Sequence, residues 1–222
     1  VNGMISIRGV PSDYDGWEAA GAEGWGWDGV LPYFKKQETD RDFDGPLHGQ
    51  EGPMGLQRVF EERWPGFTKG FIDAAREDGW KDLKDKNANF GDGFFPVAVA
   101  HNDGRRTSTA TAYLTRDARS RRNLTIIDQT RAMRILLDGK TVTGVRVIRN
   151  GEEFAIKAKE VIVSSGALHS PALLLRSGIG PAAELREYGI SVVADRPGVG
   201  KNLMEHPGVN FGCYMTPGSR LP

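Results

Sequence analysis

Hydrophobic and polar residues alternate along the second half of the chain in the pattern that β-strands require. Two Asx-Gly pairs interrupt these runs, Asp138-Gly139 and Asn150-Gly151. An Asx-Gly pair between β-rich runs is the strongest short signal for a hairpin, so the pattern predicts an antiparallel β-meander. We also expect a buried strand at Val161–Val163 and a helix that begins at about Ser170.

The first half of the chain shows mostly helical spacing of its apolar residues. One apolar stripe follows a candidate N-cap at Asp28, and a second ends before Gly79, which suits the position after a helix. Thr107 or Ser108 is expected to cap a further helix, whereas residues 4–8 alternate weakly and predict a short strand. The chain as a whole therefore predicts an α/β class with α+β elements.

The composition excludes several classes of protein. Hydrophobic residues make up 39% of the 222 positions and charged residues 26%, as in ordinary globular domains. Lys+Arg and Asp+Glu number 29 each, so no basic surface indicates a nucleic-acid partner. No apolar run approaches the roughly 20 residues that a membrane span needs.

The first residues, VNGMISIRG, are strand-like from the outset and carry no initiator methionine. We therefore expect Val1 to be an internal point of a longer polypeptide, which leaves targeting signals undecided. The only cysteine, Cys213, rules out an internal disulfide and suits a reducing compartment, so we expect a cytoplasmic location.

Several short motifs do not support the chemistry that they first suggest. GWGWDG at Gly24–Gly29 has the spacing of a dinucleotide fingerprint, but a loop precedes it instead of a strand. GVGKN at Gly198–Asn202 lacks the first P-loop glycine and the magnesium-binding hydroxyl. The histidines show no metal-ligand spacing, so no metal site is expected. They are His48, His101, His169 and His206.

The stretch VIVSSGALHSPALLLRSGIG, residues 161–180, carries the most specific signal. Gly166 and Ala167 present almost no side chain, so a flat or anionic ligand can approach the backbone there. The helix that follows offers free N–H groups and a partial positive charge. Small residues equally allow a helix to pack closely on a sheet, and the residues alone leave both interpretations open.

GALHSPALLLRSGIG resembles the second signature of the glucose–methanol–choline (GMC) family of flavin-dependent oxidoreductases. NGMISIRG resembles the end of its first signature, and GRRTSTATAYL, NLTII and GVGKNLMEHP follow in the family's order. The resemblance covers nearly the whole chain and most favours the choline-dehydrogenase-like branch. It implies part of a Rossmann-like FAD-binding domain, with an antiparallel β-meander and the start of a substrate-binding domain.

The resemblance also implies a division of the chain and a set of cofactor-binding residues. The segments are 1–60 (FAD-proximal, with lid-like loops), 61–121 (helical, substrate-domain), 122–208 (FAD-binding, with the meander) and 209–222 (truncated start of the substrate-binding domain). The residues are Asn2, Gly3, Met4 and Ile5 near the flavin ring and pyrophosphate, Ala132 at the adenine edge, and Ser165, Gly166 and Ala167 on the adenosine side. His206 is expected to fix the link into the substrate-binding domain.

The reaction that the resemblance implies is hydride transfer from the CH–OH group of a small alcohol to flavin N5, with oxygen or a quinone as the electron acceptor. The catalytic histidine of the family is expected after Pro222, so no catalytic residue is assigned here and the chain alone is expected to be inactive. Two alternatives stay open. One is a non-catalytic nucleotide-binding or interaction module, and the other is a hydroxynitrile-lyase-type relative on the same fold.

Overall fold

A computed structural model of the chain describes residues 2–205, 214 and 216. The described residues form a mixed α/β structure, as predicted, in two compact units, residues 2–124 and residues 125–205. His206 and most of the predicted 209–222 segment lie outside the described residues. The four-segment division stays a prediction. Over the described part of the chain, none of the helices has the length and hydropathy to cross a membrane.

The first unit combines five short helices with one small sheet. Its helices are α1 (Pro11–Ala19), α2 (Trp27–Gln37), α3 (Gly66–Glu77), α4 (Thr109–Ala112) and α5 (Arg116–Arg119). Its strands are β1 (Glu38–Asp40), β2 (Met54–Gln57), β3 (Val99–Asn102) and β4 (Arg105–Arg106). The strand order is β1-β2-β3-β4, with β1 and β2 parallel and the other pairs antiparallel. Leu56 of β2 is buried at the centre of this sheet.

Two of the predicted helix ends in this unit are confirmed and one is wrong. The Ser108 side chain accepts a hydrogen bond from the Thr111 N–H and caps α4. Gly79 follows α3 with φ +87°, a conformation that favours glycine. Helix α2 begins at Trp27 after Gly26, so Asp28 lies in its first turn instead of capping it.

The predicted strand at residues 4–8 is wrong. Asn2–Met4 forms a short 3₁₀ turn, in which Gly3 and Met4 have φ values of 60° and 65°. Left-handed backbone does not continue a pleated strand, and only Ile5 makes an isolated antiparallel bridge, to Val99.

The second unit is built on the predicted β-meander. Its elements are β5 (Arg131–Asp138), β6 (Thr141–Arg149), β7 (Glu152–Lys157), α6 (Gly166–Arg176), β8 (Ile179–Gly180), α7 (Ala182–Glu187) and β9 (Ala194–Asp195). Strands β5, β6 and β7 pair antiparallel in that order, which confirms the meander. Asn150 and Gly151 both have positive φ, as a two-residue type I′ hairpin requires.

The predicted strand at Val161–Val163 is also wrong. No described strand pairs with this segment, and Ile162 is 83% exposed. A strand requires a hydrogen-bonded neighbour, so β-propensity without a partner leaves the segment irregular. Helix α6 begins at Gly166, four residues before the predicted start at Ser170.

Candidate functional site

A cavity of about 530 Å³ lies in the second unit, where β5 approaches α6. Residues 131–133 of β5 form one side, and Ser165, His169, Leu173 and Arg176 complete the lining. The volume lies within the range of about 300–1,000 Å³ that is typical of small-molecule sites. Ala132 and Ser165, which the sequence assigned to two parts of one nucleotide site, therefore line the same cavity.

Hydrogen bonds from the end of α6 hold the two sides of this cavity in place. Strand β5 is an edge strand of the meander, so its outer backbone groups need other partners. Ser177, completely buried, accepts from the Ile135 N–H at 2.8 Å and donates to the Leu173 carbonyl at 2.6 Å. Arg176 Nε donates to the Met133 carbonyl at 3.0 Å. These bonds fix α6 against β5.

The N-terminus of α6 borders the cavity because its N-cap residue, Ser165, is part of the lining. The Ser165 side chain makes no capping hydrogen bond, while its own N–H donates to Ser170 Oγ at 2.9 Å. Gly166 has φ +85°, and a Cβ atom there would have no neighbour within 4 Å. The first turn of α6 therefore presents accessible backbone, which suits a ligand that lies against the main chain or carries negative charge.

Ala167 is placed differently from Ser165. It lines a second cavity of about 420 Å³, together with Pro171, Leu175 and Gly200. The structure therefore places Ala132 and Ser165 at the first cavity and Ala167 at the second. Gly166, between Ser165 and Ala167 in the sequence, is not among the lining residues of either cavity. The cofactor contacts of all four residues stay predictions.

The other predicted cofactor segment, Asn2–Ile5, belongs to the first unit. Its backbone has two consecutive left-handed residues, Gly3 and Met4. A Cβ atom at Gly3 would contact only the Ile5 side chain, at 3.7 Å. A methionine with φ +65° stores about 1–3 kcal/mol of strain, which is typical of backbone that is held for a function. The segment thus has the open backbone that close approach of a flat ring needs.

A buried ion network in the first unit was not predicted. His48 Nε2 lies 2.7 Å from Asp85 Oδ2, and His48 Nδ1 lies 3.2 Å from Asp40 Oδ2. Arg58 bridges the same two aspartates, at 2.8 Å to Asp40 Oδ1 and 3.0 Å to Asp85 Oδ1. Glu38 contacts Arg8 and lies 3.6 Å from His48 Nδ1. The strand alternation of β1, which places Glu38 and Asp40 on one face, is the signal that would have suggested the cluster.

The electrostatics of this network keep His48 charged. Its contact with Asp40, followed by those with Asp85 and Glu38, raises the pKa of His48 to about 11. Burial by itself would raise the pKa of Asp40 and of Asp85, but the contacts with His48 and Arg58 outweigh it and lower both pKa values. The imidazolium and the two aspartates are therefore ionised together at neutral pH.

Glu38, Asp40 and His48 also have the spacing of cation ligands, since their ligand atoms lie within 4.8 Å of one another. The surrounding charges do not fit a metal ion. Arg8 and Arg58 already contact two of these carboxylates, and the protonated imidazole supplies a third positive charge. A divalent ion would have to displace the proton and sit beside two guanidinium groups. The arrangement is that of a structural ion network.

Comparison with known proteins gives matches over nearly the whole chain. A family model described as GMC oxidoreductase matches residues 1–208. The chain is 47% identical over 221 residues to a 5-(hydroxymethyl)furfural oxidase of a Methylovorus species, covering 99% of this chain and 42% of that protein. It is 42% identical over 207 residues to an oxygen-dependent choline dehydrogenase of Brucella anthropi, covering 93% of this chain and 37% of that protein.

Solved structures give the same result for the fold. An FAD-dependent oxidoreductase from Chaetomium thermophilum superimposes with a TM-score of 0.79 at 30% identity. The match covers 89% of this chain and 36% of that one. The chain thus spans less than half the length of the curated relatives and of the solved protein that it matches.

Proposed function

This chain belongs to the GMC oxidoreductase family, and on that premise we propose that it forms the FAD-binding part of an enzyme that oxidises the CH–OH group of an alcohol. The cofactor is FAD, which accepts a hydride at its N5 atom when it is bound. The contribution of the described residues is to bind and orient this cofactor.

The observation that carries the proposal is the cavity shared by Ala132 and Ser165. The small side chains of Ala132 and Ser165 and the accessible backbone at Gly166 suit a flat purine and its ribose. Arg131 and Arg176 add positive charge at the cavity wall, which favours a ligand with phosphate groups. We assign the adenosine half of FAD to this cavity and the flavin-proximal contacts to Asn2–Ile5.

For the substrate we propose a primary alcohol, and for the electron acceptor molecular oxygen. Two relatives support the choice. One is named as an oxidase of 5-(hydroxymethyl)furfural and the other as an oxygen-dependent dehydrogenase of choline, and both of those molecules are primary alcohols. The choice is tested by hydrogen peroxide release. The measurement uses the flavin-loaded enzyme of which this chain is proposed to form the FAD-binding part. Release in air with either alcohol supports oxygen, and flavin reduction by the alcohol followed by reoxidation with a quinone alone contradicts it.

Cofactor binding is tested by titrating the 222-residue chain with FAD and following flavin fluorescence, with ADP as competitor. Ser165→Phe fills the cavity while preserving the backbone bond to Ser170, so we expect the Kd for FAD to rise at least about tenfold. Ser191→Phe is the matched control, because Ser191 is an exposed serine of the same unit that does not line the cavity. We expect it to bind FAD like the unchanged chain.

Three outcomes separate the interpretations. ADP competition together with weakened binding in Ser165→Phe supports the assignment of the adenosine half to this cavity. FAD binding that neither ADP nor Ser165→Phe affects would refute that assignment. Absence of FAD binding in a folded chain would contradict the proposal that the described residues bind this cofactor.

A further inference from the structure

Asn87 is a buried residue of the long connection between α3 and β3. Its exposed fraction is 1%, although asparagine is mostly found on protein surfaces. The amide oxygen of its side chain accepts from the Arg8 N–H, and the amide nitrogen donates to the Ser6 carbonyl, both at 3.0 Å. One loop side chain, 79 and 81 positions away in the sequence, therefore binds the backbone on both sides of Ile7.

These two hydrogen bonds replace the contacts that regular secondary structure would supply. Residues 6–9 are irregular in conformation, so their backbone polar groups need partners outside a helix or a sheet. The Ser6 N–H donates to the Ala98 carbonyl at 2.9 Å, and the Asn87 amide adds the contacts to the Ser6 carbonyl and the Arg8 N–H. An amide offers a donor and an acceptor side by side, which a carboxylate or an apolar group of the same size does not.

The buried ion network fixes the position of Asn87. The Asn87 N–H donates to Asp85 Oδ1 at 3.1 Å. The Asp85 carboxylate in turn contacts His48 at 2.7 Å and Arg58 at 3.0 Å. All four residues are buried. The place of the amide is therefore set by charged groups that are paired with one another inside the first unit.

The strained turn at Gly3 and Met4 comes just before this attachment. Left-handed backbone at a methionine is unfavourable and persists only where the surrounding structure holds it. The chain that follows the turn is held by the Asn87 amide and also by the Arg8 guanidinium, which contacts Glu38 of the buried ion network. A change at Ser6 reaches Met4 through a single intervening residue, so the two attachments restrict the turn.

We propose that Asn87 is a positioning residue, which fixes the backbone of Ser6 and Arg8 and thereby holds Asn2–Ile5 in the conformation that receives the flavin. The inference rests on the proposed function, which assigns the flavin-proximal contacts to that segment. Asn87 has almost no accessible surface, so it acts through the segment and not by touching the cofactor. The adenosine half of FAD is assigned to the second unit, so loss of the amide should weaken the flavin contacts and leave the adenosine contacts intact.

The first test compares two ligands. Asn87→Leu has a similar volume but removes both hydrogen bonds, and Asn89→Leu is the matched control, because Asn89 is an exposed asparagine of the same connection. The 222-residue chain is titrated with FAD by flavin fluorescence and with AMP, which carries adenosine without flavin, by calorimetry. We expect Asn87→Leu to raise the Kd for FAD at least about tenfold and to change that for AMP by less than about twofold. Asn89→Leu should change neither.

The second test follows hydrogen exchange without FAD, by mass spectrometry of peptides that cover residues 2–9 and β2. We expect Asn87→Leu to accelerate exchange in residues 2–9 at least about tenfold, because the Arg8 N–H loses its acceptor, while β2 keeps its rate. Ile72→Ala is the control for general destabilisation, since it removes buried apolar surface from α3. It should accelerate exchange in both peptides.

Asn87→Asp provides a second variant if Asn87→Leu unfolds, which circular dichroism detects. It keeps the shape and the acceptor but loses the N–H donor to Ser6, so we expect changes in the same direction. Weaker FAD binding with unchanged AMP binding, together with faster exchange confined to residues 2–9, supports the proposal.

Three results would overturn it. They are FAD binding equal to that of Asn89→Leu, an equal loss of FAD and AMP binding, and faster exchange in both peptides. If Ser165→Phe still weakens FAD binding in that case, the proposed function stands and only the role of Asn87 falls. Absence of FAD binding in the unchanged chain would overturn both.

Discussion

Replacing His48 by glutamine tests the buried ion network of the first unit directly. The imidazolium lies between the carboxylates of Asp40 and Asp85 and within 3.6 Å of Glu38. Glutamine occupies a similar volume and still forms hydrogen bonds, but it carries no charge. Three buried carboxylates are then left with Arg8 and Arg58 as their only cations in this network.

The size of the effect follows from the burial of the partners. Removing one member of a buried ion pair costs about 3–5 kcal/mol, because an uncompensated charge stays away from water. The rise of the pKa of His48 from 6.5 to about 11 corresponds to an upper limit of about 6 kcal/mol. We therefore expect His48→Gln to lower the free energy of unfolding by about 3–5 kcal/mol, a large part of the total of about 5–15 kcal/mol that is usual for a domain.

The loss depends on pH in a defined direction. A group whose pKa is raised in the folded state stabilises the fold fully below its unfolded pKa of about 6.5, and the contribution disappears as the pH rises toward about 11. Asp40 and Asp85 have lowered pKa values, so their contribution is present above about pH 4 and is lost as the pH falls. The difference between the unchanged chain and His48→Gln should therefore be largest near pH 6 and shrink toward pH 10.

Tryptophan fluorescence is the appropriate probe, because all five tryptophans, at positions 17, 25, 27, 64 and 80, lie in the first unit. Urea unfolding at pH 6, 8 and 10 gives the free energy at each pH. His169→Gln is the control, since His169 is an exposed histidine of the second unit. A difference between His48→Gln and the unchanged chain that stays constant from pH 6 to pH 10 would refute the charged state of His48.

Two further predictions concern the second unit and are tested by guanidinium unfolding of the whole chain, followed by far-UV circular dichroism. Ser177→Ala leaves the buried Ile135 N–H without its acceptor and should lower the free energy of unfolding by about 1–3 kcal/mol. The control Ser191→Ala changes an exposed serine and should lower it by less than about 0.5 kcal/mol. Gly178→Ala should cost at least about 2 kcal/mol, because φ is +82° and the new Cβ would lie 2.4 Å from the Ser191 carbonyl oxygen. Gly189 has a similar φ of +66°, but a Cβ atom there would have no neighbour within 4 Å. Gly189→Ala should therefore lower the free energy of unfolding by less than Gly178→Ala does, and an equal loss would contradict the steric argument.

Local sequence signals predicted the meander and two helix ends correctly, because the determinants lie within a few residues of one another. Asn150-Gly151 adopts the left-handed backbone of a tight hairpin, and Ser108 finds its capping partner three residues away at Thr111. The same kind of reasoning failed at Val161–Val163. Strand propensity there is real, but strand formation depends on a neighbouring strand that no local pattern supplies.

The candidate site shows the same division between local and distant determinants. The signature around Gly166 identified the family, and Ser165 beside it lines the cavity between β5 and α6. The buried network escaped notice because its members come from distant parts of the sequence: Arg8, Glu38, Asp40, His48, Arg58 and Asp85. A search for histidine and cysteine spacing does not detect an ion network whose partners meet only after folding.

The sequence by itself therefore determined the family, the meander and the turns, since backbone preferences and signature residues act over short distances. Only the tertiary structure decided that Ala132 and Ser165 share a cavity, that Ala167 does not line it, and that His48 is surrounded by carboxylates. The physical reason is that burial and charge pairing depend on which distant segments are brought into contact. Those contacts set the pKa of His48 and the shape of the cavity between β5 and α6.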